Sequence, residues 1–280
     1  MLSYRHAFHA GNHADVLKHY VLSLVLAYMK QKDKAFCYID THAGAGLYQL
    51  TTGYASQNAE FEQGIAKLMT ASLLPETLAD FVAHIKRFNQ QTLTFYPGSP
   101  MLAQDFLRAD DKMRLFELHP SDYKLLIENF TGQNKQVKIA QQDGFTGIKA
   151  CLPPASRRGA VLIDPPYEDK QDYQRVVGMI KDSLTRFATG TYMIWYPLLQ
   201  RPEPAEMVND LMALKPANWL DVSMTIHQPA ADGFGMHGSG LFVINPPWTL
   251  ASTLQGALPA LTQLLALDDS AHYTLNSQMA

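Results

Sequence analysis

The chain has 280 residues, 47% of them hydrophobic and 18% charged, with a formal net charge of −3, enough apolar material for one large core or a core with an inserted subdomain. Cys37 and Cys151 are too few for a disulfide framework, no charged-plus-apolar leader with a cleavage site is visible, and the longest apolar stretch, roughly residues 20–29, falls well short of the ~20 residues that span a bilayer. A cytoplasmic protein with no membrane role is expected, and the small negative charge excludes bulk electrostatic coating of nucleic acid while leaving room for a local basic surface.

Residues 1–13 are aromatic, basic and glycine-containing without helical or strand period, and read as an ordered amino-terminal arm. Leu17, Val21, Leu24, Val25 and Tyr28 then recur at helical spacing, which predicts a helix over residues 14–32 with Asn12 as its cap. A short buried strand follows at 35–39 and stops at Asp40-Thr-His-Ala-Gly-Ala-Gly46, a strand-to-glycine-loop transition. From about 48 to 97 no strand pattern occurs; residues 60–70 and 76–89 look helical, so this segment reads as a helical insertion within one domain spanning 1–280.

Ser99-Pro100 resembles a helix start, serine capping and proline in the first turn, with the helix running to about Arg108. Six further strands are expected at 114–117, 137–140, 160–163, 192–195, 220–222 and 241–244, most of them separated by helices. Strands interleaved with helices predict an α/β fold with a mostly parallel, doubly wound, Rossmann-like sheet whose ligands bind at the carboxyl ends of the strands. The last two strands are joined only by the glycine-rich segment 229–239, so the final strand is expected to be antiparallel and to lie toward the sheet edge.

Val161-Leu-Ile-Asp-Pro-Pro-Tyr167 carries the chemistry. An exocyclic base amine delocalises its lone pair into the ring and is a poor nucleophile; the Asp164 carboxylate and the Pro165 carbonyl can accept its two N–H groups and turn the lone pair toward an electrophile. A Pro-Pro step has no N–H to spend on the sheet, and Tyr167 is expected to offer a face for stacking a base. Asn245-Pro-Pro-Trp248 repeats the pattern, but its place on the final strand favours a rigid structural turn, leaving Asp164 as the catalytic candidate.

Acids recur at the other strand ends. Asp40, Glu117 and Asp143 are expected to ring the same cleft as Asp164, with Gly44 and Gly46 admitting a ligand to the backbone, Glu117 accepting ribose hydroxyls and Asp143 facing an adenine amine. The missing third glycine favours a ligand without a diphosphate, such as S-adenosylmethionine. In the arm, Arg5 and Lys18 are expected to bind nucleic-acid backbone and Tyr4 to approach the target base. His9 and His13 stand at i, i+4 without companions that complete a metal set, so no metal is expected. Arg157-Arg158 reads as a basic rim or a charged turn.

The motifs Tyr4-Arg-His-Ala-Phe-His-Ala-Gly-Asn-His-Ala-Asp-Val-Leu-Lys-His19, Asp40 to Gly46, Tyr96-Pro-Gly-Ser-Pro100, Glu117-Leu-His-Pro120 and Asp164-Pro-Pro-Tyr167 together resemble the RlmJ family over essentially the whole chain. That resemblance implies adenine-N6 methylation of bacterial 23S ribosomal RNA by a Rossmann-like methyltransferase using S-adenosylmethionine. It further implies that His19, His42, Ser99, Glu117, Asp143 and Gly144 contact the cofactor, that Asp164 is catalytic and that Tyr4 touches substrate, with Lys18 a weaker transfer. Because an aspartate is a weak base toward an aryl amine, orientation by hydrogen bonding, with proton loss after methyl transfer, is the expected role of Asp164. A monomer acting on 23S ribosomal RNA without an obligatory protein partner is expected. The alternatives are methylation of DNA adenine or of a protein glutamine, or a non-catalytic module that binds an adenosine ligand.

Overall fold

The computed structural model describes residues 5–132 and 135–279. Asn12 caps α1 (His13–Lys30), its side chain accepting the backbone N–H groups of Ala14 and Asp15. The chain then enters β1 (Cys37–Asp40), turns through the glycine loop and forms β2 (Leu47–Gln49). Helices α2 (Ala55–Asn58), α3 (Ile65–Thr70) and α4 (Glu76–Lys86) follow before β3 (Phe95–Pro97) returns to pair antiparallel with β2. These two strands, three residues each, were not expected. The helix expected over 60–70 is broken, because the Ile65 N–H turns aside to the Gly11 carbonyl at 2.9 Å and only the part from Ile65 onward is α-helical.

The remaining elements are α5 (Ser99–Gln104), β4 (Lys112–Phe116), α6 (Pro120–Asn129), β5 (Val137–Ala140), α7 (Gly144–Gly147), β6 (Gly159–Ile163), α8 (Gln171–Arg186), β7 (Thr191–Leu198), α9 (Glu203–Ala213), β8 (Trp219–Thr225), β9 (Gly238–Ile244), α10 (Leu250–Leu265) and β10 (His272–Gln278). Eight strands form one sheet in the order β10-β8-β9-β7-β6-β1-β4-β5. β5, β4, β1, β6 and β7 pair in parallel, whereas β9 is antiparallel to both neighbours.

Successive strand residues feed opposite layers. Phe36 and Tyr38 join a core with α1, α4, α5 and α10, while Cys37 and Ile39 join a second core with α8 and α9. Both faces are therefore covered, which is why the central strands read as unbroken apolar runs. β9 is antiparallel as expected but lies inside the sheet rather than toward its edge. The edge is β10, whose Tyr273 and Leu275 alone pack on the core; two apolar residues in seven left it without a readable strand signal.

The chain leaves β1 toward β4 and β5 on one side, and later builds β6 and β7 on the other. The carboxyl ends of β1 and β6 thus flank a topological switch point, where a parallel sheet opens a crevice. Arg157-Arg158 lies at the opposite edge, where Arg158 donates to the Met29 carbonyl at 2.8 Å and its own carbonyl accepts Cys37 N–H at 3.0 Å. It is a structural turn and not a basic rim of the crevice.

Candidate active site

Asp40 ends β1 fully buried, accepting the Tyr38 hydroxyl and the Ser99 hydroxyl, each at 2.7 Å, and the His42 N–H at 3.2 Å. Burial raises its pKa, since the ionised form is desolvated despite these donors. Asp40 therefore fixes the loop and α5 rather than facing the ligand cleft. Ser99 is correspondingly not a helix cap: the α5 cap is Gly98, and the serine side chain turns inward to Asp40.

The loop then turns at Gly44, whose φ of +61° favours glycine and where a Cβ would stand 2.2 Å from the Tyr48 hydroxyl oxygen. Its N–H donates to Glu117 at 2.8 Å, and the other Glu117 oxygen accepts His119 N–H at 2.6 Å. Burial pushes the Glu117 carboxyl up to about 7 against the lowering effect of these two donors. Next along the edge, Asp143 caps α7 by accepting Phe145 N–H at 2.8 Å and pairs with Arg175 at 2.5 Å. Gly144 is required by packing, because a Cβ there would sit 1.9 Å from the Thr41 carbonyl oxygen.

These residues enclose a cavity of about 930 Å³ lined by His19, His42, Gly44, Ser99, Glu117, Asp143, Gly144 and Asp164, together with Tyr48 and Phe145. His42 meets Phe145 edge-on at 5.0 Å, and burial pulls its pKa down to about 4, so the ring is neutral at neutral pH. Gly46, also expected at the ligand, has a φ of +83° and faces Leu126 and Met101; it turns the loop and does not line the cavity.

Asp164 stands where this cavity meets a smaller one of about 220 Å³. The smaller chamber is walled by Tyr167, Trp195, Pro197, Arg201 and Met236, and shares Lys18, His6, Pro166 and Asp164 with the larger. Pro166, not Pro165, lines both. Tyr167 is 3% exposed and one face is covered by Tyr173 at 4.4 Å between ring centroids, while its hydroxyl donates to the Trp195 carbonyl at 2.7 Å. It is a wall of the chamber rather than the exposed stacking face expected.

A buried chain of charges supports the junction from below. Lys18, 4% exposed, donates to Asp164 Oδ2 at 2.5 Å and to Asp15 Oδ1 at 2.8 Å. Asp15 Oδ2 accepts Gly11 N–H at 2.9 Å and lies 2.9 Å from His6 Nε2. Burial alone would lower the Lys18 pKa, yet the two carboxylates raise it; burial alone would raise Asp15, yet His6 and Lys18 hold it well below the usual carboxylate range. Lys18 is thus committed inside the protein and is not a backbone-phosphate contact. His19 is neutral, burial lowering its pKa to about 3, and its Nδ1 lies 2.8 Å from the Tyr96 hydroxyl.

Arg5 pairs with Asp122 at 2.9 Å, on the rim of the larger cavity, and Tyr4 lies outside the described residues. His9 contacts Glu60 at 3.0 Å. The second Pro-Pro motif is distant: Ile244 pairs with Tyr192 at the start of β7, so Asn245 sits at the amino edge of the parallel strands. Its side-chain amide donates to the Ala188 and Gly190 carbonyls at 2.8 Å each, the arrangement of a structural clamp. Sequence reasoning missed Asp15, Arg175, Trp195, Arg201 and Met236. The acid-lysine spacing of Asp15 and Lys18 on one helix face was the one local signal among them.

A family model described as ribosomal RNA large subunit methyltransferase D, RlmJ, matches residues 33–277. Ribosomal RNA large subunit methyltransferase J of Escherichia coli K12 is 47% identical over 277 residues, covering 99% of this chain and 98% of the relative. The Haemophilus influenzae protein of the same name is 46% identical over 277 residues, covering 98% of each. A crystal structure of a Legionella pneumophila protein superposes with a TM-score of 0.89 at 34% identity, over 96% of this chain and 98% of that one. With near-complete alignment in both sequence and structure, and an Asp-Pro-Pro-Tyr turn set at the switch point of the sheet, this chain belongs to the RlmJ family of ribosomal RNA large subunit methyltransferases.

Proposed function

We propose that the chain transfers a methyl group from S-adenosylmethionine to the exocyclic N6 amine of an adenine in 23S ribosomal RNA, with the cofactor in the larger chamber and the target base in the smaller. The observation that carries this reading is the position of Asp164 at the junction of two contiguous chambers, one ringed by acids and the other walled by aromatic and apolar groups. A ligand with a ribose and an adenine fits the first chamber: Glu117 is a buried acceptor for hydroxyl donors, and Asp143 an acceptor near the far end. The turn at Gly44 keeps the backbone open beside them.

The bound cofactor would supply a methyl group made electrophilic by a sulfonium. The protein's part is to hold the acceptor. Lys18 occupies Oδ2 of Asp164, which leaves Oδ1 to accept one amine hydrogen and fixes the carboxylate plane. Tyr167, Trp195 and Met236 exclude water around a base that has left its stack. After transfer the nitrogen is a strong acid, and its proton can pass to the adjacent carboxylate or to solvent.

The direct test is incubation with labelled S-adenosylmethionine and total RNA, total DNA or protein extract. Label should enter large-subunit RNA and be recovered as N6-methyladenine; label only in DNA adenine or protein glutamine would replace this reading with one of those activities. A pH dependence follows as well. If ionised Glu117 accepts the ribose hydroxyls, cofactor affinity should fall as pH is lowered through about 7 and level off above it. Calorimetric titration across that range should show the step, and Glu117→Gln should bind more weakly with the step abolished.

A further inference from the structure

The segment between β8 and β9 leaves the sheet at the carboxyl edge of the strands, on the same side as the two chambers. One of its residues, Met236, walls the smaller chamber beside Asp164. Two residues earlier, Phe234 is 81% exposed. A large aromatic left in water costs solvation free energy and gives nothing to the fold.

The tip that carries Phe234 is built rather than slack. Gly233 and Gly235 take φ values of 77° and 89° on either side of it, the Asp232 carboxylate accepts the Phe234 N–H at 3.0 Å, and Gly233 N–H bonds the Ala230 carbonyl at 2.9 Å. Below, the Gln200 amide donates to the same Ala230 carbonyl at 3.1 Å, and the Ile226 and His237 backbones close the base of the hairpin through a 2.9 Å bond. The turn thus holds the ring outward while its other limb reaches the target chamber.

We propose that Phe234 is a stacking platform for a nucleotide flanking the methylated adenine on the RNA strand. The inference rests on the reading of the smaller chamber as the adenine pocket. Phe234 and Met236 stand two positions apart, at most about 7 Å of chain, so a strand whose base is inserted beside Met236 brings its neighbouring base to the Phe234 ring. Once the adenine leaves the stack, its neighbour loses a face, and an exposed ring restores it irrespective of base identity. Stacking of this kind does not depend on the net charge of the chain, which is −3.

The test compares the wild-type protein with Phe234→Ala and Phe234→Trp on protein-free 23S ribosomal RNA. Phe234→Ala should raise the KM for RNA about tenfold or more, with cofactor affinity and kcat at saturating RNA unchanged, and Phe234→Trp should stay near wild type. An unchanged KM in Phe234→Ala, with wild-type methylation of RNA intact, overturns the inference and leaves the chamber assignment standing. Failure of the wild-type protein to methylate any RNA overturns both. An equal loss in the Ala and Trp variants also overturns it, because a stacking face survives in the second.

Discussion

Asp164→Ala should reduce kcat for methyl transfer to large-subunit RNA by at least about 10²–10³-fold, the scale set by removing one preorganised group from a charge-developing centre. Cofactor affinity should change far less, because the remaining polar groups around the larger chamber, Glu117 and Asp143 among them, are untouched. The fold should survive: Lys18 keeps Asp15 at 2.8 Å when Asp164 is cut back. Asn245→Ala is the matched control. It removes two hydrogen bonds and places alanine at a φ of 51°, so it should lower stability by about 2–3 kcal/mol while leaving kcat near wild type. Turnover measured at saturating cofactor and RNA, with a denaturant titration of each variant, separates the two. Loss of turnover in Asn245→Ala with Asp164→Ala active would reverse the assignment of the motifs.

The contrast between the two Pro-Pro motifs shows what a linear reading can reach. Glu117, Asp143 and Asp164 are visible because parallel strands must deliver their carboxyl ends to one edge, so an acid just past an apolar run is placed by topology alone. The same logic failed for Asp40. Its carboxylate is consumed by Tyr38, which the strand alternation puts on the same face, and by Ser99, which only the tertiary fold brings in from α5. Lys18 stands among the cations and aromatics of the amino-terminal segment and so resembles a phosphate contact, whereas the fold buries it on α1 between Asp15 and Asp164. The smaller chamber was the least legible part. Trp195 and Arg201 come from β7 and the turn after it and reach Asp164 through the parallel β6–β7 pairing, whereas Met236 comes from the β8–β9 connection and depends on the antiparallel insertion of β9 between β7 and β8.

Lys18→Met should destabilise the protein by about 3–5 kcal/mol, the cost of removing one partner from a buried ionic cluster. The side chain is 4% exposed and sits between two carboxylates, so water cannot replace its ammonium. The size of the loss should depend on pH in a defined direction. Lys18 is raised by Asp15 and Asp164 over the lowering effect of burial, so its stabilisation is complete below the ordinary lysine value and lost only as pH climbs through the folded one. Asp15 is depressed, so its stabilisation is present above the ordinary carboxylate value and lost as pH falls through the folded one. Between those limits the wild-type cluster contributes fully. Without Lys18 the buried Asp15 carboxylate is under-compensated, and acidification relieves it by protonation. The stability gap between wild type and Lys18→Met should therefore be widest near neutral pH and narrow toward the carboxylate range, as read by denaturant unfolding across that interval. Adding Asp15→Asn to Lys18→Met should recover part of the lost stability, since it removes the uncompensated charge, but it should not recover turnover: Asp164 would still lack the donor that fixes its carboxylate plane. A gap that stays constant with pH, or a double variant no more stable than Lys18→Met, would mean that the charge pairing of Lys18 with Asp15 is not what supports the active-site floor.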